Sequence, residues 1–255
     1  MNIYLQRNAS GLGDWTMTAT VITHIHAQRP DVNVKLVRSP QATPFLQEMM
    51  ASFDINFEWV DYAEPHAPYI KHFVYKRNQD KHLIEGMIEC LNHKTGLDIH
   101  YVPDLMCAPK STSVPEGLPP GYVLMPSRGK KSKAMGKEWG ASNFSRLAKM
   151  LSQHFPIVQT GASGDPILDC ASNVYLKCEP PTLHGLIQNC RFAVTMVNGL
   201  CCLAGAQKKK AYTIYCGGVE TPILATFPNQ IPLVMSDAND IFNEIINKEK
   251  PVQLD

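Results

Sequence analysis

Two short segments of this sequence carry residue types that could bind an anionic group and accept a proton from an attacking hydroxyl. The first, Gly11-Leu12-Gly13-Asp14, places two glycines and a carboxylate directly after a predicted strand. Glycine lets a ligand approach the backbone, a helix start attracts anions, and a carboxylate can accept a proton from an attacking hydroxyl. Asp14 therefore has two compatible interpretations: a general base, or the N-cap of a helix that begins at Trp15. Gly11 and Gly13 are the candidate acceptor-binding residues.

The second segment is basic and rich in small residues. Residues 127–133 read Ser-Arg-Gly-Lys-Lys-Ser-Lys after another predicted strand, and Lys137 follows. Cations and free donors stabilise a departing diphosphate, so this loop is a candidate diphosphate clamp, with a solvated surface loop as the alternative. Residues 198–201 again join a strand to a helix, where backbone N–H groups point at an anion. The candidate donor-binding residues are Ser127, Arg128, Lys130, Lys137, Gly161, Asn198, Gly199, Leu200 and Cys201.

Several other chemistries lack their motifs. The glycine segment has no third glycine as in a dinucleotide fingerprint, and the sequence contains no P-loop and no Gly-x-Ser-x-Gly elbow. The eight cysteines include no C-x-x-C pair, and His24 and His26 do not share a helix face. We therefore expect reduced, mostly buried thiols, no metal site and no bound cofactor.

The composition is that of a globular chain. Of its 255 residues 44% are hydrophobic and 18% charged, and the net charge is +1, so any attraction to phosphate must come from local clusters. No apolar run is long enough for a membrane span, and the N-terminus lacks the order of a signal peptide. These features predict a cytoplasmic protein.

Strands and helices alternate along the sequence, which predicts an α/β fold with parallel sheets. A proline-rich stretch at residues 103–120 divides the alternation into two Rossmann-like units, residues 1–118 and 119–255, with a ligand cleft between them. The predicted strands are residues 2–6, 32–37, 57–60, 97–102, 122–125, 156–160, 192–196 and 211–215. The predicted helices are residues 15–28, 41–51, 80–94, 142–153, 182–188 and 198–206.

Three stretches resemble the heptosyltransferase-like glycosyltransferases of family 9. They are Gly11-Leu12-Gly13-Asp14 with the later Arg29-Pro30-Asp31; Lys137-Glu138-Trp139 with Phe144, Leu147, Ala148 and Leu151; and the C-terminal run from Thr182 through Asn198-Gly199-Leu200 to Gly218. The resemblance is spread over most of the chain and is strongest from Gly121 onward.

The resemblance implies a GT-B fold and an inverting, metal-independent transfer of a sugar from a nucleotide donor, typically ADP-heptose, to an acceptor hydroxyl. It assigns Asp14 as the general base, Lys137 as a lysine on the donor phosphates, and Gly199 and Leu200 as part of the donor-binding loop. The implied acceptor is a glycan or glycolipid, and a modified base in DNA is an alternative that the basic loops permit.

The sequence departs from the family signature at Val197 and Cys202. The family has an acidic residue, which contacts the donor sugar, where this chain has Val197, and a histidine where it has Cys202. These changes favour a second alternative, a degenerate nucleotide-sugar-binding module without catalytic activity. The first 118 residues are also short for the family, which predicts a different acceptor.

Overall fold

The computed structural model describes residues 1–71, 81–127, 139–216 and 227–249, and these ranges contain ten strands and seven helices. The strands are β1 Asn2–Leu5, β2 Asn33–Val37, β3 Glu58–Val60, β4 Tyr69–Ile70, β5 Val123–Pro126, β6 Ile157–Gly161, β7 Ala171–Leu176, β8 Phe192–Met196, β9 Ala211–Ile214 and β10 Gln230–Leu233. The helices are α1 Leu12–Gln28, α2 Pro44–Ala51, α3 Leu83–Thr95, α4 Ala141–Leu151, α5 Pro180–Asn189, α6 Gly199–Ala206 and α7 Ala238–Lys248.

The strands form two parallel sheets. The first has the order β3-β2-β1-β4, and the second has the order β10-β9-β8-β5-β6-β7. We call the segments that build these two sheets the N-terminal half and the C-terminal half. The α/β fold class with parallel sheets predicted from the sequence is therefore confirmed. Within the described ranges, no helix combines the length and the apolar character of a membrane span.

One hydrophobic core is shared by the two halves. The larger core cluster runs from Leu5 and Trp15 of the N-terminal half to Leu186 and Leu203 of the C-terminal half. A smaller cluster lies within the C-terminal half, between the sheet and the helices α4 and α7. Residues 103–120 pack between the halves: Phe53 forms a bridge with Pro109, and the amide of Ser113 donates to the carbonyl of Pro181.

Residues 97–102 are extended but are not the strand that we predicted. Side chains bind their backbone in place of a neighbouring strand: Asn92 accepts from the amide of Ile99, Gln28 from that of His100, and His24 from that of Val102. The apolar alternation was real, because Leu97 and Ile99 are buried. The sequence pattern reported burial, and the tertiary structure supplied other hydrogen-bond partners.

Other differences from the predicted elements are local. Helix α1 begins at Leu12, upstream of Trp15. Four elements were not predicted: β4, β7, β10 and α7. Strand β4 has only two residues, and β7 lies at the edge of its sheet with none of its six residues fully buried, so both carry a weak hydrophobic signal.

Candidate functional site

In each sheet the strand order reverses at one point, and the candidate site lies at these two points. In the C-terminal half the chain leaves β5 toward β6 and β7, and later returns to β8 on the other side of β5. In the N-terminal half the corresponding point lies between β1 and β4. Parallel sheets bind ligands outside the carboxyl ends of the strands at such points. The segments after β1, β5 and β8 are therefore placed to form a site.

Asp14 occupies the third position of α1, which begins at Leu12 with Gly11 as its N-cap residue. The interpretation of Asp14 as an N-cap is therefore wrong; it is a carboxylate within the first helical turn, where the helix dipole favours negative charge. Its Oδ1 accepts a hydrogen bond from the guanidinium of Arg7, whose side chain is only 2% exposed, while that of Asp14 is 29% exposed. The carboxylate is thus held from the protein side and reachable from solvent.

Gly11 makes room for this carboxylate. A Cβ at Gly11 would lie 2.6 Å from Oδ2 of Asp14, closer than such contacts occur in proteins. The loop before the helix is fixed by the indole of Trp15, which donates to the carbonyl of Ala9 at 2.8 Å. Ser39, which follows β2, donates to the carbonyl of Arg7 at 2.9 Å. The position of Asp14 therefore depends on both neighbouring strands of the N-terminal sheet.

The first turns of α1 and α6 meet at two glycines. A Cβ on Gly13 would lie 2.9 Å from Sγ of Cys202, and a Cβ on Gly199 would lie 2.7 Å from Cβ of Leu12. Small residues are needed here because the two helix backbones approach closely. The contact joins the segment after β1 to the segment after β8 and sets Asp14 beside the C-terminal half.

A pocket of about 470 Å³ opens next to this contact. Leu12 and Phe45 line it from the N-terminal half. The C-terminal half contributes residues at the carboxyl ends of four strands or in the helices that follow: Pro126, Thr160, Gly161, Ala162, Ser163, Asp165, Lys177, Cys178, Leu183, Asn198, Gly199 and Leu200. Burial raises the pKa of the Cys178 thiol, so this side chain is a neutral part of the wall. The pocket suits a ligand with an apolar portion.

Two buried oxygens in this region have no hydrogen-bond partner among the described residues. They are Oδ1 of Asp165, a side chain that lines the pocket, and Oγ of Ser127, the residue after β5. The other carboxylate oxygen of Asp165 accepts from the amide of Ala162 at 2.8 Å, which fixes the orientation of the group. Buried polar atoms are rarely left unpaired, so Oδ1 of Asp165 is available to a ligand donor in the pocket. Ser127 is fully buried and is not among the residues that line the pocket.

The structure brings part of the predicted donor site together. Gly161, Asn198, Gly199 and Leu200 all line the pocket, whereas Cys201 is buried behind it. The side chain of Asn198 accepts from the amides of Leu200 and Cys201 at 2.9 and 3.2 Å, so these two N–H groups are already bound within the protein. Arg128, Lys130 and Lys137 lie outside the described residues.

Most of the residues that line the pocket were not predicted from the sequence, and Asp165, Cys178 and Phe45 are three of them. Asp165 comes into the site because the loop after β6 folds back, and Cys178 follows β7, a strand that was not predicted. Phe45 comes from the other half of the chain. An acidic residue shortly after a strand end was a usable signal for Asp165; Phe45 had none. The described residues contain no group of three metal-ligating side chains close enough to hold an ion.

The sequence matches no protein-family model and no curated protein sequence. Solved structures with the same fold do match. E. coli heptosyltransferase WaaC with ADP aligns with 98% of this chain and 100% of its own at 12% identity and a TM-score of 0.67. E. coli ADP-heptose lps heptosyltransferase II aligns with 97% of this chain and 98% of its own at 14% identity and a TM-score of 0.67. The iron-containing dodecameric glycosyltransferase TibC of enterotoxigenic E. coli covers 90% of this chain, over 63% of its own, at 14% identity and 0.60. The chain thus shares the fold of these enzymes.

Proposed function

We propose that this protein is an inverting glycosyltransferase that moves a sugar from a nucleoside-diphosphate donor to an acceptor hydroxyl. The observation that carries the proposal is the apolar pocket at the point where the strand order of the C-terminal sheet reverses, next to the helix that bears Asp14. The solved structures with the same fold include heptosyltransferases, one of them with ADP. In this proposal the two halves form a GT-B arrangement, residues 1–118 and 119–255, with the donor in the pocket between them.

The pocket accounts for the nucleoside part of the donor. Its apolar walls fit a base, and the unpartnered Oδ1 of Asp165 accepts from a ribose hydroxyl. Leu12 and Gly199 are the first residues of α1 and α6, and both line the pocket, so two positive helix ends flank the space for the diphosphate. By sequence, Arg128, Lys130 and Lys137 supply the remaining countercharge, with Ser127 as a donor.

Asp14 is the proposed general base. A hydroxyl is a weak nucleophile at neutral pH, so a carboxylate must take its proton as the oxygen attacks the anomeric carbon on the face opposite the leaving diphosphate. The ion pair with Arg7 orients the carboxylate, and its partial exposure leaves room for an acceptor beside Gly11 and Gly13. The acceptor class remains a glycan, a glycolipid or a modified DNA base.

Nucleotide binding tests the donor site. A ligand that binds only the folded state stabilises it by RT ln(1 + [L]/Kd), about 2.7 kcal/mol at a hundredfold excess over Kd. We expect one of ADP, UDP, GDP and CDP, or its sugar, to raise the melting temperature selectively. If none of them does, the donor site is absent and the proposed function is wrong.

The Asp14→Asn variant tests the catalytic step. It keeps the size of the side chain but removes the basic oxygen, so we expect sugar transfer to fall by about 10²- to 10⁴-fold while nucleotide affinity stays unchanged. The matched control is Asp31→Asn, because Asp31 is also paired with an arginine, Arg29, but lies on the exposed surface. Donor binding without any loss of transfer in Asp14→Asn would remove Asp14 from the mechanism.

Metal independence is part of the proposal, in contrast to the iron-containing TibC. In the proposed site the diphosphate is neutralised by cationic side chains and helix ends, so no ion is needed between them. Transfer should therefore proceed unchanged in a chelator such as EDTA. A rate that is lost in EDTA and restored by one divalent ion would show that the site uses a metal.

A further inference from the structure

Phe45 is the single aromatic residue among the described residues that line the pocket, and it belongs to the N-terminal half. It lies in the first turn of α2, where Pro44 begins the helix, and its ring is only partly buried. Except for Leu12, the other residues of the wall belong to the C-terminal half. Phe45 therefore adds an aromatic ring from the N-terminal half to a wall that is otherwise built mainly by the C-terminal half.

Hydrogen bonds hold α2 in place at its other end. Ser52, the residue after α2, donates to the carbonyl of Met49 at 2.6 Å, so its Oγ accepts from Nε2 of His184 at 2.9 Å. Nδ1 of His184 in turn accepts a hydrogen bond from the side-chain amide nitrogen, Nε2, of Gln207 at 3.0 Å. Both ring nitrogens of His184 are thus used, and the neutral ring joins α2 to α5 and to the end of α6.

This junction is continuous with the pocket wall. His184 follows Leu183, which lines the pocket, and the ring of Phe53 lies edge-on to the imidazole with centroids 5.3 Å apart. The carbonyl of Ser52 also accepts from the amide of Lys110 at 2.8 Å. The direction of α2, and with it the position of Phe45, is consequently fixed from the C-terminal half and from the segment that connects the halves.

We propose that Phe45 is the contact of the N-terminal half with the nucleobase of the donor, and that Ser52 and His184 are positioning residues that hold it there. The inference rests on the proposed function, which it deepens. An aromatic face at an apolar wall stacks on any base, so Phe45 contributes affinity for the nucleoside without selecting among bases. Tight nucleotide binding then requires both halves to be docked.

Isothermal titration of the Phe45→Ala variant tests this role, with the nucleoside diphosphate that binds the wild-type protein and with inorganic pyrophosphate. Base stacking on an aromatic ring contributes enough that its loss should weaken nucleotide binding by about 5- to 150-fold. Binding of pyrophosphate, which has no base, should not change. Phe45→Tyr should restore nucleotide affinity to within about threefold, because the aromatic face is kept.

Phe57→Ala is the matched control, because Phe57 is also a partly buried phenylalanine of the N-terminal half but lies in a different cavity. It should bind both probes like the wild-type protein. If wild-type protein binds the nucleotide and Phe45→Ala binds it equally well, the inference is wrong and the proposed function stands. An equal loss for pyrophosphate would also overturn it, since the effect would not concern the base. If wild-type protein binds no nucleotide, the proposed function fails first.

A double variant tests the positioning role of Ser52. Ser52→Ala leaves His184 without its acceptor and should weaken nucleotide binding, but not pyrophosphate binding. Because Ser52 acts through Phe45, the Ser52→Ala, Phe45→Ala double variant should bind the nucleotide no more weakly than Phe45→Ala alone. Additive losses would show that Ser52 affects binding by another route.

Discussion

At the scale of single residues, Asp14 combines two properties that a proton acceptor needs. The buried guanidinium of Arg7 fixes one oxygen, and the other lies over Gly11, where any larger residue would collide with it. The Asp14 side chain nevertheless remains partly exposed to solvent. Arg7 lies in the turn between β1 and α1, and Asp14 lies in the first turn of the helix that follows, so the ion pair joins two parts of one strand-to-helix connection.

Gly13→Ala tests the close contact of α1 with α6. The added methyl group would lie 2.9 Å from Sγ of Cys202, so this side chain or one of the two helices must shift, and overpacking of this kind costs about 1–3 kcal/mol of unfolding free energy. Helix propensity alone would favour alanine, so a loss must come from the contact. Adding Cys202→Ala removes the sulfur and should recover part of the loss. Denaturant unfolding of the two variants measures this; a Gly13→Ala protein as stable as wild type would contradict the close approach.

Some residues of the candidate site could be predicted from the sequence and others could not. Asp14, Asn198 and Gly199 could be predicted because a strand-to-helix turn with glycine is a local pattern. Asp165 and Phe45 could not, because their place depends on how a loop folds back and on how one half packs against the other. Local patterns identify strand-to-helix turns at the pocket, but not the residues that other elements contribute to its wall.

At the scale of elements, the contact of α2 with α5 depends on a neutral histidine. Burial lowers the pKa of His184 to about 4, and that of His82 likewise to about 4. His184 uses one nitrogen as a donor and the other as an acceptor, so a second proton would break its bond with Gln207. The junction of the two helices is therefore stable only where the ring is uncharged.

The free energy of unfolding should consequently decrease as the pH is lowered from about 6.5 to about 4. The unfolded chain binds the His184 proton near its ordinary pKa of 6.5 and the folded chain only near 4, so the unfolding free energy is complete above that window and declines as pH drops through it. Between pH 7 and pH 5 this histidine accounts for about 2 kcal/mol.

Denaturant unfolding of wild type and His184→Gln at pH 7.5 and pH 5 measures this effect. The variant lacks the titrating ring, so its loss of unfolding free energy between the two pH values should be smaller than that of the wild type by about 2 kcal/mol, while His82 contributes to both. Equal losses in the two proteins would show that His184 does not titrate in this window.

Strands that are buried along their length could be predicted from the sequence; of the edge strands only β3 was predicted, and β4, β7 and β10 were not. Strand β8 is buried along its whole length and has the bounds that we predicted, whereas β4 and β7 give no comparable signal. Residues 97–102 show the opposite error, since side chains of α1 and α3 bind the backbone where a neighbouring strand would. Apolar patterns report burial and leave the hydrogen-bond partner open.

At the scale of the whole molecule, one core cluster crosses between the halves, so they should unfold together. The three tryptophans report on this: Trp15 and Trp59 lie in the N-terminal half and Trp139 in the core of the C-terminal half. In Trp139→Phe the fluorescence follows the N-terminal half alone, while circular dichroism follows both. We expect the two denaturation curves of this variant to coincide.

The reciprocal variant, Trp15→Phe with Trp59→Phe, leaves fluorescence from the C-terminal half alone and should show the same coincidence. Each comparison is made within one protein, so the stability lost through the substitutions does not affect it. Separate midpoints for fluorescence and circular dichroism in either variant would show that the halves unfold independently.

The glycine contact between α1 and α6 also limits how this chain can be recombined. If one half were exchanged for that of another protein of the same fold, α1 and α6 would come from different proteins, and their contacting side chains would not be complementary. Where the other protein has a larger residue in place of Gly13 or Gly199, its side chain would collide with Cys202 or Leu12 of the half that is kept. A working chimaera must therefore transplant the turn after β1 together with the turn after β8, although most of the chain lies between them.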